Sequence, residues 1–259
     1  MLNLLEDARI KLKLKKCFFV KKEVEYLGHC IRPGTLSVYR DSKAIRAVRD
    51  AKFPQTPTIM KSFLGSCNVY RRFVKGFAKI AAPLSDMLKK DSQTDWDKPI
   101  EPTEEQQEAF DTLKSHLTSP PILALPKPGR PYMIDCDASK YGIGAVLLQQ
   151  QNEAKPTEWA TVGYFSKTLT KEQRNYSATE RECYAVVWAV LTLRPYLECS
   201  HFIVRTDHNA LRWMMTLNDP AGRLMRWRLR LLEFDYEVVY RPGRVHQVPD
   251  ALSRLIREG

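Results

Sequence analysis

The chain has 259 residues and a mass of 30.0 kDa, enough for one large domain or two small ones. Its hydrophobic content of 44% supports an ordinary buried core, and no run of 18 or more apolar residues predicts a membrane span. The net charge of +11 is uneven: residues 1–100 sum to +11, residues 101–130 to −2 and residues 131–259 to +2. A basic excess interleaved with aromatics in the first part points to a polyanion partner there, with a Lys-rich solvated surface as the plainer reading.

The opening MLNLLEDARIKLKLKK has early acids and no clean apolar core, which argues against a secretory signal. Cys17, Cys30, Cys67, Cys136, Cys183 and Cys199 show no zinc spacing, so they read as reduced thiols of an intracellular, cytoplasmic or nuclear protein. Residues 2–12 carry a short amphipathic pattern. KCFFVKKEVEYLGHCI (16–31) reads as two strands with Lys21-Lys22-Glu23 between them, and Pro33-Gly34 marks a turn. Asp41 or Ser42 opens a helix through residue 52, stopped by Pro54 and Pro57. A second helix follows Thr58, and a third covers 75–90 with Pro83 limiting or kinking it. Thr103 and Gln106 form a capping box for helix 104–117. The proline-rich stretch 119–130 has no period and sets a domain boundary near residue 125, giving domains 1–125 and 126–259.

The second domain reads as strands 131–137, 142–149 and about 161–167, helix 178–197 and strand 201–206. Short helical pieces at 208–216, helix 220–232, strand 234–240 and helix 248–257 follow. Strands first and a helical crossover next give an α/β fold with a mixed sheet and helices on both faces. Asp135 and Asp137 end the first strand and share a face. Carboxylates there are costly without a positive partner, which a divalent cation, an arginine or backbone N–H groups could supply. Glu182 lies in an apolar helix, Asp207 closes the strand HFIVRTD, and Asp250 opens the last helix after Pro249. Spacing alone chooses neither Asp137 over Asp135 nor Glu182 over Glu180.

DCDASKYGIGAVL, FSKTLTKEQRNYSATERECYAVVWA, VRTDHNAL and YRPGRVHQVPDALSR resemble, in order, the ribonuclease H domain of gypsy-type retrotransposon polyproteins. The resemblance implies a ribonuclease H-like mixed five-stranded sheet with flanking helices. A smaller, mostly helical thumb-like domain with a short hairpin would precede it. Residues 1–125 then resemble the end of a reverse transcriptase palm, where the phrase Tyr26 to His29 supports a primer end, followed by its thumb. No Asp-Asp dipeptide occurs in the chain, so the polymerase motif of that family is missing and the chain alone is not expected to synthesise DNA.

The resemblance implies an endoribonuclease that cuts the RNA strand of RNA–DNA hybrids with two Mg²⁺ ions, or Mn²⁺ in their stead. Asp137 would bridge both ions, Glu182 and Asp207 would hold the leaving-group ion, and Asp250 the water-activating one. The family match selects Asp137 and Glu182. His246, His208 and Tyr240 are auxiliary candidates near the last acids, each with a surface or structural alternative. Tyr70, Arg71, Arg72 and Lys75 are expected phosphate contacts, or else a solvated helix face. Arg223, Arg226 and Arg230 share one side of a helix beside Leu224, Trp227 and Leu231. They form a basic handle for the hybrid, or a helix held by its apolar residues. Besides the hybrid, an upstream fingers–palm polymerase portion is an expected partner, and no membrane is. The alternatives are a non-cleaving nucleic-acid-binding remnant and an accessory portion that works only with a separate polymerase fragment.

Overall fold

A computed structural model describes residues 19–39, 42–88, 101–155, 157–206 and 222–240, with a few short stretches besides. Two sheets organise them. The first has the order β1-β2-β3-β4, with β1 Val24–Tyr26, β2 His29–Arg32, β3 Thr35–Val38 and β4 Leu123–Ala124. The turn expected at Lys21–Glu23 sits instead at Leu27-Gly28, whose φ values of 48° and 77° are the left-handed pair that a two-residue hairpin demands. Gly34 at φ 74° after Pro33 closes the second hairpin, as expected.

Helices fill in around this sheet. Ser42, rather than Asp41, caps α1 Lys43–Asp50, accepting from Ile45 N at 3.2 Å. Thr56 caps α2 Pro57–Val69, with Pro57 at the first turn, where its missing N–H costs nothing. A 3₁₀ turn at Arg71–Phe73 ends what the sequence suggests is one long helix. The third expected helix is two short ones, α3 Phe77–Ile80 and α4 Ala82–Asp86, with Pro83 in the first turn of α4. The capping box of Thr103 and Gln106 is present on α5 Glu104–Thr118. Ile45, Met60, Phe73, Leu84, Leu113 and Leu117 form this unit's core with Leu123. Leu123 lies in the stretch read as an aperiodic linker. It is fully buried because β4 completes the first sheet.

The second sheet has the order β7-β6-β5-β8-β9: β5 Tyr132–Ala138, β6 Gly142–Gln150, β7 Trp159–Thr168, β8 Phe202–Thr206 and β9 Tyr236–Tyr240. The β5-β6-β7 meander is antiparallel, and β8 and β9 run parallel to β5, so the sheet is mixed and five-stranded. Short α6 Lys171–Arg174 leads into α7 Ala178–Thr192, which crosses from β7 toward β8. The run expected as one helix to 197 breaks at Leu193 before Pro195, and α8 Arg194–Leu197 follows. Tyr132, Ile134 and Cys136 of β5 pack under Val186, Val187 and Val190 of α7. The helix α9 Arg223–Leu231 joins that core through Trp227 and Leu231. The opposite sheet face carries Met133, Val146 and Leu148, with Tyr164 packing there and on the first unit's core. Gln149, fully buried on β6, trades hydrogen bonds with Lys127 N and O at 2.8 Å and ties the linker to the sheet. Of the expected helical pieces at 208–216 only Met214 and Thr216 are described, both helical and Met214 buried in the core. The helix at 248–257 lies outside the described residues, as do residues 2, 3, 5, 6 and 10 of the opening pattern.

Candidate active site

β5 pairs on both sides, so its carboxylates emerge at the middle of the sheet. Asp135 and Asp137 share a face, but their surroundings differ. Asp135 is 7% exposed, and Arg205 of β8 grips it with two parallel bonds of 2.5 Å, Nε to Oδ1 and Nη2 to Oδ2. Asp135 and Arg205 face each other in the parallel register, which aims the guanidinium fork at the carboxylate. The arginine alternative therefore holds for Asp135. Asp137, one pleat further on, is exposed. Its cross-strand partner on β6 is Gly144, which puts no side chain beside it.

The turn after Asp137 is pinned by Ser139. Its Oγ accepts from Gly142 N at 3.0 Å and donates to Gly142 O at 2.8 Å. A Cβ on Gly142 would stand 3.1 Å from Lys167 O, so glycine lets β6 and β7 close there.

The helix α7 packs on β5 and carries Glu182 in its second turn. Glu180 is committed elsewhere: its Oε2 accepts from Ser177 N at 2.9 Å in the capping box, and its Oε1 pairs with Arg223 at 3.4 Å. Glu182 is half-buried one turn into the helix, beside the fully buried Cys183. Burial pushes the Cys136 thiol up, and Asp135, Glu182 and Asp137 all push it the same way. One buried sulfur thus feels carboxylates from strand and helix together. Carboxylate oxygens are the donor set that suits Mg²⁺. Among the described residues no group of three or more His, Cys, Asp or Glu gathers as a metal cluster. Asp207, Asp250, His208 and His246 lie outside the described residues. Asp207 follows Thr206, the buried last residue of β8.

Tyr240 ends β9 and is 56% exposed. On α9, Arg226 and Arg230 are exposed, while Trp227 and Leu231 are buried. Arg223 is turned inward, its guanidinium 4.1 Å from the Tyr176 ring centre and paired with Glu180.

The expected phosphate contacts of the first unit need correction for three of four residues. Tyr70 is 2% exposed, and its hydroxyl sits 3.1 Å from Ser42 Oγ, beneath Gly28. Arg71 Nη2 donates to Ser166 O at 2.6 Å, and Arg72 Nη2 donates to Val162 O at 3.4 Å. Both acceptors are carbonyls of β7, the edge strand, so these half-exposed arginines are committed to a sheet edge. Lys75 is exposed. Reading Arg71-Arg72 as a surface pair fails because a solvent-facing helix is assumed. Arg205 escaped notice, though it stands two residues before Asp207, as Asp135 stands before Asp137.

Residues 127–234 match the family described as RNase H-like domain found in reverse transcriptase. The Pol polyprotein of transposon 297 from Drosophila melanogaster is 37% identical over 251 residues, covering 97% of this chain and 22% of that protein. The polyprotein of transposon Tf2-3 from Schizosaccharomyces pombe is 32% identical over 262 residues, covering 100% of this chain and 19% of that protein. The chain spans about a fifth of the length of these relatives. Among solved structures, the foamy viral protease-reverse transcriptase in complex with RNA/DNA hybrid has a TM-score of 0.73 at 18% identity. It covers 93% of this chain and 33% of that one, and it shows a shared fold. The helix laid on β5 and the mixed five-stranded sheet are thus those of an RNase H-like domain, in a chain whose homologues are retrotransposon Pol polyproteins.

Proposed function

We propose that the chain is the nuclease end of a gypsy-type retrotransposon polyprotein, hydrolysing the RNA strand of RNA–DNA hybrids. Residues 126–259 would form the nuclease and residues 1–125 a thumb-like unit that grips the duplex. The observation that carries this reading is an exposed Asp137 at the end of the central strand of an RNase H-like sheet, while its neighbour Asp135 is tied to Arg205. Asp137, Glu182, Asp207 and Asp250 would hold two Mg²⁺ ions, or Mn²⁺. When bound, such ions activate water and neutralise the phosphate.

The chain's own residues prepare that chemistry. Arg205 is paired with Asp135 and not with Asp137. Gly144 keeps the flank of Asp137 open for a phosphate. Ser139 fixes the turn, so the carboxylate stays at the strand end. Lys75, Arg226 and Arg230 are the exposed cations offered to a duplex backbone. Tyr240, His208 and His246 are candidates for helping product leave.

The test is cleavage of a labelled hybrid by the purified chain with Mg²⁺. Asp137→Asn should abolish it while leaving the fold intact. Undiminished cutting by that variant would refute the assignment. A second reading is that it acts only beside a polymerase portion. A large gain on adding a fingers–palm fragment would support that reading.

A further inference from the structure

Ser166 lies in the same cross-strand row as Asp137: Asp137 pairs with Gly144, and Gly144 pairs with Ser166. Residues directly opposite one another point to one face, and strands lie about 4.8 Å apart, so Ser166 is about 10 Å from Asp137 across the sheet. Ser166 is 7% exposed and is bonded to the first unit through both its side chain and its carbonyl. Its Oγ accepts from Ala78 N at 3.0 Å, satisfying one of the N–H groups that the first turn of α3 leaves without a helical partner. Its carbonyl accepts from Arg71, whose guanidinium lies 5.4 Å from the Phe77 ring centre. The next residue, Lys167, donates to Tyr184 hydroxyl at 2.9 Å on α7, two positions beyond Glu182. A cleft of about 560 Å³ runs along this seam, lined by Asn68, Arg71, Phe77, Ser166, Lys167 and Trp188.

We propose that Arg71 and Ser166 are positioning residues that hold the helical unit at a fixed distance from Asp137 and so set how much duplex beyond the cut the enzyme engages. The inference rests on the nuclease reading. At 3.4 Å per base pair, the row between Ser166 and Asp137 spans about three base pairs. Duplex leaving the nuclease centre on that side would meet the helical unit almost at once, and the anchor decides whether both surfaces can be engaged together. A loosened unit would keep each surface but lose their fixed spacing, and with it the gain from simultaneous engagement.

The experiment uses the full chain and two RNA–DNA hybrids, one covering only the nuclease sheet and one extended past it. For the unaltered chain, extension should lower KM about tenfold, the worth of one or two charge-assisted contacts. Arg71→Ala and Ser166→Ala should lose that gain while kcat on the short hybrid stays within twofold, and Arg71→Lys, which keeps one donor, should restore part of it. The same comparison by binding, in an Asp137→Asn background, reads the length-dependent gain without any cutting. Variants that keep the gain would overturn the proposal, as would variants that lose short-hybrid kcat in step with thermal stability. A length-dependent gain in binding with no cutting by the unaltered chain would fail the nuclease reading and leave the anchor standing. No gain on extension in either readout would overturn the anchor alone.

Discussion

Removing Arg205 should damage the fold without touching the chemistry, and removing Asp137 should do the reverse. The Asp135 and Arg205 side chains are 8% and 16% exposed, and the pair is bidentate. Arg205→Ala strands a carboxylate inside the sheet, and breaking a buried pair from one side costs about 3–5 kcal/mol. At about 3 °C per kcal/mol for a domain of this size, Tm should fall by about 10–15 °C. Urea denaturation followed by circular dichroism gives the free energy directly. Asp135→Leu combined with Arg205→Met should recover most of the loss, because apolar replacement of both partners removes the stranded charge. That double variant should still cut hybrid, whereas Asp137→Asn should fold normally and not cut. A loss below about 1 kcal/mol for Arg205→Ala would mean the pair behaves as a solvated one, and the division of labour between Asp135 and Asp137 would fall.

Three further outcomes follow from the geometry. Gly28 has φ 77°, and a Cβ there would stand 2.3 Å from the Tyr70 hydroxyl. Gly28→Ala should cost about 2–4 kcal/mol, and adding Tyr70→Phe should return the steric part only; equal loss in both variants would refute the contact. Burial pushes the Cys67 and Cys183 thiols up to about 12 from 9.0. Each favours the folded state fully below pH 9, where both states are protonated. Above it the unfolded chain releases protons first, so stability should fall by about 1.4 kcal/mol per pH unit per thiol until the folded thiols also titrate. Cys67→Ala and Cys183→Ala should flatten that slope in stability measured between pH 8 and pH 11. Arg223→Ala should cost about 1 kcal/mol by thermal melting, since its pair with Glu180 is partly exposed and its stack on Tyr176 adds a cation–π contact. A neutral result would remove Arg223 as the pin between α9 and α7.

Local signals in the sequence located most elements. The capping box at Thr103 and the prolines at 57 and 83 act over one helical turn and leave their marks in the residues themselves. The strands β5, β6 and β7 stood out by their apolar and β-branched content. The hairpin at Leu27-Gly28 did not, because leucine at positive φ is outside ordinary turn chemistry and the Lys-Lys-Glu run looked more like a turn. Leu123 looked like linker because a two-residue strand has no period to detect.

The candidate acids were legible in the chain by their family phrases, while spacing left each with a rival two residues away. What separated them was who stands opposite: Arg205 for Asp135, Ser177 and Arg223 for Glu180, a bare glycine for Asp137. Ser177 is a local partner, three residues away in a capping box, but Arg205 lies 70 residues off on another strand, and Arg223 and Gly144 lie on other elements too, so no local pattern encodes them. The same is true of Arg71 and Arg72. Their charge could be counted from the sequence, but whether a guanidinium meets solvent or an edge-strand carbonyl depends on how two separately folded cores come to rest against each other.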